Sequence, residues 1–248
     1  MLVLDSVTKR FSGLLAVSDA SLTVADGSIT GLIGPNGAGK TTLFSLISGF
    51  ELPTSGRIVF GGQDVTTLAV HVRARRGIAR TFQIAQPFAE ISVRENIAVG
   101  AYLRHGRRND AMDKATAIGR RVGLGSVLDK LASSLTVADG KRLELARALA
   151  TEPKLLLLDE VLAGLNPSEI RDVLPVVRSI HDEGITILMV EHIMQAVMTL
   201  CERVHVLAQG RIIASGQPSE VCTDPIVIEA YLGAGAAGQQ VARGAAHA

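Results

Sequence analysis

The stretch Gly34-Pro35-Asn36-Gly37-Ala38-Gly39-Lys40-Thr41-Thr42 matches the pattern G-x-x-x-x-G-K-[ST]. Residues 30–33 before it predict a buried strand, and residues 41–47 after it predict a helix that ends at Gly49. In this context the glycines allow backbone N–H groups to wrap around a phosphate, and the start of the helix adds the positive end of its dipole. The stretch therefore predicts a phosphate-binding loop between a strand and a helix.

The loop supplies two side chains suited to nucleotide chemistry. Lys40 would reach the β- and γ-phosphates, and the Thr41 hydroxyl would ligate Mg²⁺. Without a nucleotide we expect the Lys40 ammonium to be solvated. The remaining contacts with phosphate would come from Gly34, Pro35, Asn36, Gly37, Ala38, Gly39 and Thr42.

A second signal lies further along the chain, where four consecutive leucines, residues 155–158, precede Asp159 and Glu160. An all-apolar strand suits a sheet covered on both faces, and ligands bind at the carboxyl ends of such strands. Asp159 would hold Mg²⁺ through water, and Glu160 would polarise an attacking water molecule. The alternative is a solvated strand end with two acids, but the phosphate loop earlier in the chain favours a nucleotide site.

The rest of the chain divides by its periodicity. Residues 1–30 predict short strands, and residues 57–65 predict a hairpin across Gly61-Gly62. Residues 85–150 carry helical spacing and no strand signal, so they predict a helical insertion. Strands are then predicted at residues 155–158, 185–190, 204–207 and 211–214, with helices from Asn166 and from near His192. This alternation predicts a parallel α/β sheet.

Composition and charge argue against several classes of protein. The chain of 248 residues has 25 Lys+Arg and 24 Asp+Glu, a net charge of +1, and 3% aromatic residues. It therefore lacks the basic surface and the stacking platforms of a nucleic-acid-binding protein. Its two cysteines, Cys201 and Cys222, are too few for a disulfide framework and indicate a reducing compartment. No apolar run approaches the roughly 20 residues of a membrane span, so we expect any membrane link to go through a partner.

Together with Val190-Glu191-His192, the phosphate loop and the leucine strand resemble the nucleotide-binding subunit of an ABC transporter. Between them, Leu135-Thr136-Val137-Ala138-Asp139 opens a run that resembles the signature of that family. The resemblance covers about residues 2–233 and implies an α/β fold. That fold is a P-loop NTPase (RecA-like) core with an antiparallel β subdomain and a helical insertion subdomain at about 85–150. The implied division is one ATPase domain, residues 1–233, and a flexible C-terminal tail, residues 234–248.

The resemblance also implies roles for residues that no local pattern singles out. Phe11 would stack on the adenine of ATP with Val17 beside it, and Gln83 would touch Mg²⁺ and water. His192 would contact the γ-phosphate while Glu160 orients the attacking water. With ATP and Mg²⁺ as cofactors, the catalytic set would be Lys40, Gln83, Glu160 and His192, and the metal set Thr41, Gln83 and Asp159.

The signature departs from the Leu-Ser-Gly-Gly-Gln of the family. Thr136 keeps the hydroxyl that would meet the γ-phosphate of the facing subunit, but Val137 and Ala138 replace both glycines. Their Cβ atoms would hinder a close approach of this backbone to the phosphate. Asp139 adds a negative charge that is unfavourable near phosphate unless it points away. We therefore expect a looser half-site and an isolated subunit that dimerises weakly on ATP.

Further runs resemble the ATPase subunits of branched-chain amino acid importers, namely residues 80–83, 163–167, 190–194 and 228–233. That likeness implies a head-to-tail dimer with an identical or paralogous ATPase subunit. It also implies transmembrane permease subunits and a periplasmic or lipoprotein substrate-binding protein that acts indirectly. The permease would hold the chain at the cytoplasmic face of the inner membrane. Candidates for the docking groove are Phe88, Ile91, Val93 and Ile97.

Other functions stay open as alternatives. The nearest keeps the fold and drives the extraction of lipid or lipopolysaccharide. A DNA-repair or chromosome ATPase would need long heptad arms or a zinc hairpin, and the sequence shows neither. A P-loop kinase would leave the signature and His192 without a role.

Overall fold

A computed structural model describes residues 1–82 and 86–232 of the chain. The strands are β1 (Leu2–Phe11), β2 (Leu14–Val24), β3 (Ile29–Ile33), β4 (Ser55–Phe60), β5 (Gln63–Asp64), β6 (Ile78–Arg80), β7 (Leu155–Asp159), β8 (Thr186–Val190), β9 (Arg203–Ala208) and β10 (Arg211–Gly216). The helices are α1 (Lys40–Ser48), α2 (Val70–Arg76), α3 (Val93–Ala101), α4 (Arg108–Arg121), α5 (Val137–Leu149), α6 (Pro167–Asp182), α7 (Met194–Leu200), α8 (Pro218–Val221) and α9 (Pro225–Leu232). In this part of the chain no helix is both long and apolar enough to cross a membrane. Gln83 and the predicted tail, residues 234–248, lie outside the described residues.

The sheet that carries the phosphate loop has six strands within residues 1–82 and 86–232. Their order is β10-β9-β3-β8-β7-β6, and all pairs are parallel except β9 with β10. Every residue of β3, β7 and β8 is buried, as expected of strands covered on both faces. Asp159 pairs in register with Val190, so the carboxyl ends of β7 and β8 lie side by side. The predicted parallel sheet is confirmed, and its carboxyl edge carries the residues of the candidate site.

A second, antiparallel sheet has the order β2-β1-β4-β5 and shares a hydrophobic core with α1. The prediction of short strands is wrong here, because β1 has 10 residues and β2 has 11. The alternation breaks at Ser6 and Asp19, which have φ of 50° and 53° and lie at shifts in register within the strands. The hairpin of β4 and β5 across Gly61-Gly62 is confirmed.

The predicted helices of the insertion are α3, α4 and α5, and α3 packs against both of the others. Ser92 caps α3 in a capping box with Glu95, and Thr136 caps α5. The cap makes α5 start at Val137, well before its buried leucines Leu143 and Leu145. Val93 and Ile97 are fully buried in the core of this block, so their prediction as groove residues is wrong.

The helix α2 has no counterpart among the predicted elements, and its Arg73 is fully buried. The Arg73 guanidinium donates hydrogen bonds to the carbonyl oxygens of Leu46, Ile47, Thr66 and Leu68 at 2.5–2.9 Å. Burial lowers the pKa of Arg73 to about 10, which leaves it charged at neutral pH. Because the buried residue of α2 is an arginine, the helix lacks the regular spacing of apolar residues that marks a buried face. Its sequence therefore resembles that of an exposed segment.

Candidate nucleotide-binding site

The phosphate loop, the end of β7 and the end of β8 meet at one cavity of about 1030 Å³. The loop lies between β3 and α1, as the sequence predicts. The lining residues are Leu14, Leu15, Ala16, Asn36, Gly37, Ala38, Gly39, Lys40, Thr41, Thr42, Glu160, His192, Gln209 and Gly210. The structure thus brings most of the predicted loop residues together with Glu160 and His192. A volume of this size accommodates a nucleotide-sized ligand.

Lys40 is held by its own loop. Its side chain is largely buried, with 7% of the residue exposed, and Nζ donates to the carbonyl oxygens of Gly34 at 2.7 Å and Pro35 at 3.0 Å. Burial lowers the pKa of Lys40, while the charges of Glu160 and Asp159 act in the opposite direction. The expectation that this ammonium is solvated is therefore wrong, because the carbonyl groups of the loop replace water around it.

Two glycines of the loop are required by close backbone contacts. A Cβ at Gly39, where φ is 104°, would lie 2.4 Å from the carbonyl oxygen of Ala16. A Cβ at Gly34 would lie 1.9 Å from the carbonyl oxygen of Leu207. Only glycine therefore lets the loop pack against β2 and β9 in this conformation.

Asp159 and Thr41 line a second, smaller cavity of about 390 Å³, together with Arg80. Asp159 is 2% exposed, and its Oδ2 accepts a hydrogen bond from Nη2 of Arg80 at 2.7 Å. A carboxylate and a hydroxyl oxygen suit Mg²⁺, which is commonly bound by one or two protein oxygens with phosphate and water completing its shell. Arg80 was missed as a site residue, although it is the first residue of the run 80–83 that the sequence analysis singled out.

Glu160 and His192 form the polar pair of the large cavity. Nε2 of His192 lies 2.8 Å from Oε1 of Glu160, and both side chains line the cavity that contains Lys40. Glu160 has φ of 49°, and its N–H donates to the carbonyl oxygen of Val190 at 3.0 Å. The ends of β7 and β8 are therefore joined at the residue that was predicted to act on water. A carboxylate beside an imidazole at this edge can orient water and donate to an oxyanion.

Phe11 and Val17 do not line this cavity. Val17 is fully buried in the core of the antiparallel sheet. Phe11 is 38% exposed and has the Lys9 ammonium 4.7 Å from the centre of its ring. The apolar surface of the cavity comes instead from Leu14 and Leu15, which sequence reasoning missed. The sequence offers an apolar pair directly after Ser12-Gly13, but that both leucines are exposed is seen only in the structure.

The signature residues form the start of α5. The Thr136 hydroxyl accepts a hydrogen bond from the N–H of Asp139 at 3.1 Å, and Thr136 does not line the large cavity of its own subunit. The carboxylate of Asp139 lies 3.5 Å from Nη1 of Arg142, which partly compensates its charge. Val137 is 68% exposed, whereas Ala138 is 8% exposed. Of the two replacements for glycine, only the Val137 side chain therefore projects from the surface.

An apolar groove of about 250 Å³ lies between the phosphate-loop core and the helical block. Its lining includes Phe50, Val70, Arg80 and Phe82 from one side and Val99 and Arg147 from the other. Phe88 lies next to it, half exposed, with the Arg147 guanidinium 5.2 Å from the centre of its ring.

The comparisons with known proteins agree with this geometry. The family described as ABC transporter matches residues 17–163, and the family described as branched-chain amino acid ATP-binding cassette transporter matches residues 211–237. LivG of Salmonella typhimurium, a high-affinity branched-chain amino acid transport ATP-binding protein, is 38% identical over 249 residues, covering 94% of this chain and 98% of LivG. LptB of Escherichia coli K12, a lipopolysaccharide export system ATP-binding protein, is 36% identical over 233 residues, covering 94% of this chain and 97% of LptB.

The fold comparison gives the same family. The crystal structure of a nucleotide-free ATP-binding cassette from an ABC transporter is similar to this chain with a TM-score of 0.86 and 32% identity. The match covers 94% of this chain and 99% of that one. Both the sequence and the fold are thus matched over nearly the whole length. The chain belongs to the ABC transporter family, as a subunit that binds and hydrolyses ATP.

Proposed function

We propose that this chain is the ATPase subunit of an importer for branched-chain amino acids or related amino acids and amides. One observation carries the role of the site: Glu160 and His192 lie 2.8 Å apart and line the same cavity as Lys40. The substrate class is supported by the match of residues 211–237 to the branched-chain amino acid cassette family and by the likeness to LivG.

In the proposed reaction, the loop amides and the Lys40 ammonium bind the phosphates of ATP. Mg²⁺, when bound, neutralises charge on the phosphates; Thr41 and Asp159 would hold it, with Gln83 as the third predicted ligand. The Glu160 carboxylate accepts a hydrogen bond from water and orients it for in-line attack on the γ-phosphate. His192 hydrogen-bonds the Glu160 carboxylate through Nε2, and its ring lies in the same cavity, where it can stabilise the charge that develops on the transferred group.

The proposal includes partners on two sides of the chain. In a head-to-tail dimer with an identical or paralogous ATPase subunit, Thr136 faces the nucleotide of the other subunit, which fits its position away from the cavity of its own. The permease subunits dock in the groove lined by Phe50, Val99 and Arg147 and hold the chain at the cytoplasmic face of the membrane. A substrate-binding protein delivers the amino acid to the permease from the other side.

An ATPase for lipid or lipopolysaccharide export is the second candidate. LptB, at 36% identity, is nearly as similar to this chain as LivG, at 38%. The experiment that separates the two uses the chain reconstituted in vesicles with its permease pair and binding protein. ATP-dependent uptake of labelled leucine would support import, whereas ATP-dependent release of lipopolysaccharide without uptake would replace it with export.

The role of Glu160 is tested by Glu160→Gln, which keeps the size of the side chain and removes its charge. ATP binding should persist, because the loop and Lys40 are unchanged, while hydrolysis should fall by about 10²–10⁴-fold. An ATP-bound dimer should then accumulate and be visible by size-exclusion chromatography. The matched control is Glu229→Gln, an exposed residue of α9. Turnover within about threefold of that control would remove Glu160 from the mechanism.

A further inference from the structure

Glu191 is a buried carboxylic acid outside the catalytic set. It directly follows β8, is 2% exposed, and does not line the nucleotide cavity. Burial raises the pKa of Glu191 to about 7, against the opposing effect of hydrogen bonds from the N–H groups of Leu162 and His192. A buried ionisable group is costly unless hydrogen bonds satisfy it, so these two bonds are the main reason it is tolerated.

Through these bonds Glu191 joins two turns of the site. Oε1 of Glu191 accepts a hydrogen bond from the N–H of Leu162 at 3.1 Å, and Leu162 lies in the turn that Glu160 begins. The same carboxylate accepts a hydrogen bond from the backbone of His192. The turn that carries Glu160 is thereby fastened to the turn that carries His192.

Lys141 holds the same turn from another element. Lys141 belongs to α5, the helix that begins at the signature, and its Nζ donates to the carbonyl oxygen of Glu160 at 3.3 Å. Its positive charge also favours the ionised form of Glu191 and so lowers the pKa of that carboxyl. The main chain of residues 160–162 is therefore held at its first residue by Lys141 and at its third by Glu191.

We propose that Glu191 and Lys141 are positioning residues that fix the main chain of residues 160–162 and so place the Glu160 carboxylate for attack on the γ-phosphate. The inference rests on the proposed role of Glu160. Neither side chain lines the nucleotide cavity, and both act through backbone atoms of the turn. A misplacement of about 1 Å at a reacting group can cost about 10²-fold in rate. Loss of either contact therefore lowers kcat and leaves ATP binding unchanged.

The test measures steady-state ATP hydrolysis by the full-length chain and, separately, binding of a fluorescent ATP analogue. Glu191→Leu removes the acceptor and should lower kcat by about tenfold or more, with KM for ATP within about twofold of wild type. Glu191→Gln keeps an acceptor oxygen and should retain most of kcat. Lys141→Met should behave like Glu191→Leu, and Lys141→Arg should restore activity. Lys130→Met, at an exposed lysine after α4, is the matched control.

Several outcomes would overturn the inference. Equal losses of kcat in Glu191→Gln and Glu191→Leu would show that the acceptor oxygen is not what matters. A rise in KM in step with the loss of kcat would show general damage to the site. Where Glu191→Leu fails to fold, the lysine pair decides: a kcat of Lys141→Met equal to that of Lys130→Met refutes the inference, and a selective loss that Lys141→Arg restores supports it. If Glu160→Gln is inactive while the Glu191 and Lys141 variants have normal activity, only this inference fails. If Glu160→Gln is fully active, the proposed function of Glu160 fails as well.

Discussion

Lys40 and Glu191 show how differently two buried charges are accommodated in one site. The Lys40 ammonium is satisfied by the carbonyl oxygens of Gly34 and Pro35, so it stays in the loop with its charge available to a phosphate. The Glu191 carboxyl is satisfied by two N–H groups and has the Glu160 charge near it. The lysine is therefore poised to exchange partners, whereas the glutamate holds the backbone around it.

Because the Lys40 ammonium is held by loop carbonyls and is also available to a phosphate, its removal should have two effects. Lys40→Ala should weaken ATP binding, because it removes the cation that reaches the β- and γ-phosphates. It should also lower the free energy of unfolding without nucleotide by about 1 kcal/mol, because two loop carbonyls lose a charged donor. Thermal denaturation with and without ATP measures both effects, with Lys130→Met as the control. An undiminished ATP-induced stabilisation in Lys40→Ala would contradict the assignment.

At Glu191 the prediction concerns pH. The pKa is about 7 in the folded chain and 4.5 is the ordinary value, so between these two pH values the folded state binds more protons than the unfolded state. The free energy of unfolding therefore falls as pH rises through this window, by up to about 3 kcal/mol from this residue. Glu191→Gln has no such titration, so its stability relative to wild type should increase between about pH 5 and about pH 8. Chemical denaturation without ATP measures this, and a difference that does not vary with pH would refute it.

Three of the predicted site residues lie together at one cavity. Lys40 and Glu160 belong to local motifs that follow strands β3 and β7, and His192, which the resemblance indicated, follows β8; parallel strands bring such segments to one edge. Arg80 depends on its distance from Asp159 across the sheet, which no local pattern encodes. Val17 was placed by resemblance alone, and a likeness in sequence position does not fix which face of a strand a side chain occupies.

Among the helices, α5 is the one whose first turn affects dimer formation. Its first turn presents Val137 to solvent and keeps Ala138 inside its own subunit, so only the valine crowds a phosphate that approaches from a facing subunit. We therefore expect Val137→Gly in a Glu160→Gln background to raise the fraction of dimer at saturating Mg-ATP. Ala138→Gly is the control and should give no gain; its cost in helix stability, about 1 kcal/mol, is larger than that of Val137→Gly, because valine is already a poorer helix former than alanine. Equal dimer fractions in all three proteins, measured by size-exclusion chromatography, would mean that Val137 is accommodated without cost.

The elements also show where sequence patterns are informative. The leucine strand β7 and the cap of α6 at Asn166 were predictable, because burial on both faces and capping leave local signals. The length of β1 and β2 was not, because left-handed residues at Ser6 and Asp19 interrupt the alternation without ending the strands. The helix α2 was not predicted, because the sequence does not show that Arg73 is buried. Its guanidinium is hydrogen-bonded to the carbonyl oxygens of Leu46 and Ile47, which lie far from it along the chain, and without that knowledge an arginine indicates an exposed polar segment.

For the molecule as a whole, nucleotide and metal should act on stability together. A ligand at about 100 times its dissociation constant stabilises the folded state by about 2.7 kcal/mol, which for a chain of this size raises Tm by roughly 2–4 °C per kcal/mol. We expect the rise with Mg-ATP to exceed the rise with ATP and a chelator. Asp159→Asn should reduce this difference, since it weakens one of the two described oxygen ligands. The same metal-dependent rise in wild type and Asp159→Asn, measured by differential scanning fluorimetry, would exclude Asp159 as a ligand.

The guanidinium of Arg80 lines both the apolar groove and the small cavity with Thr41 and Asp159. It lies 5.7 Å from the centre of the Phe44 ring and 5.5 Å from that of Phe82, and it also donates to Ser45 at 3.0 Å. Phe82, Glu144 and Arg147 also line both spaces, so the groove and the small cavity share one wall of side chains. A partner segment bound in the groove and an ion bound in the small cavity would both contact the Arg80 guanidinium, with no described helix between them. If the permease docks in this groove as proposed, the partner segment and the metal site would contact opposite sides of one wall, and a shift of Arg80 at either side would be felt directly at the other.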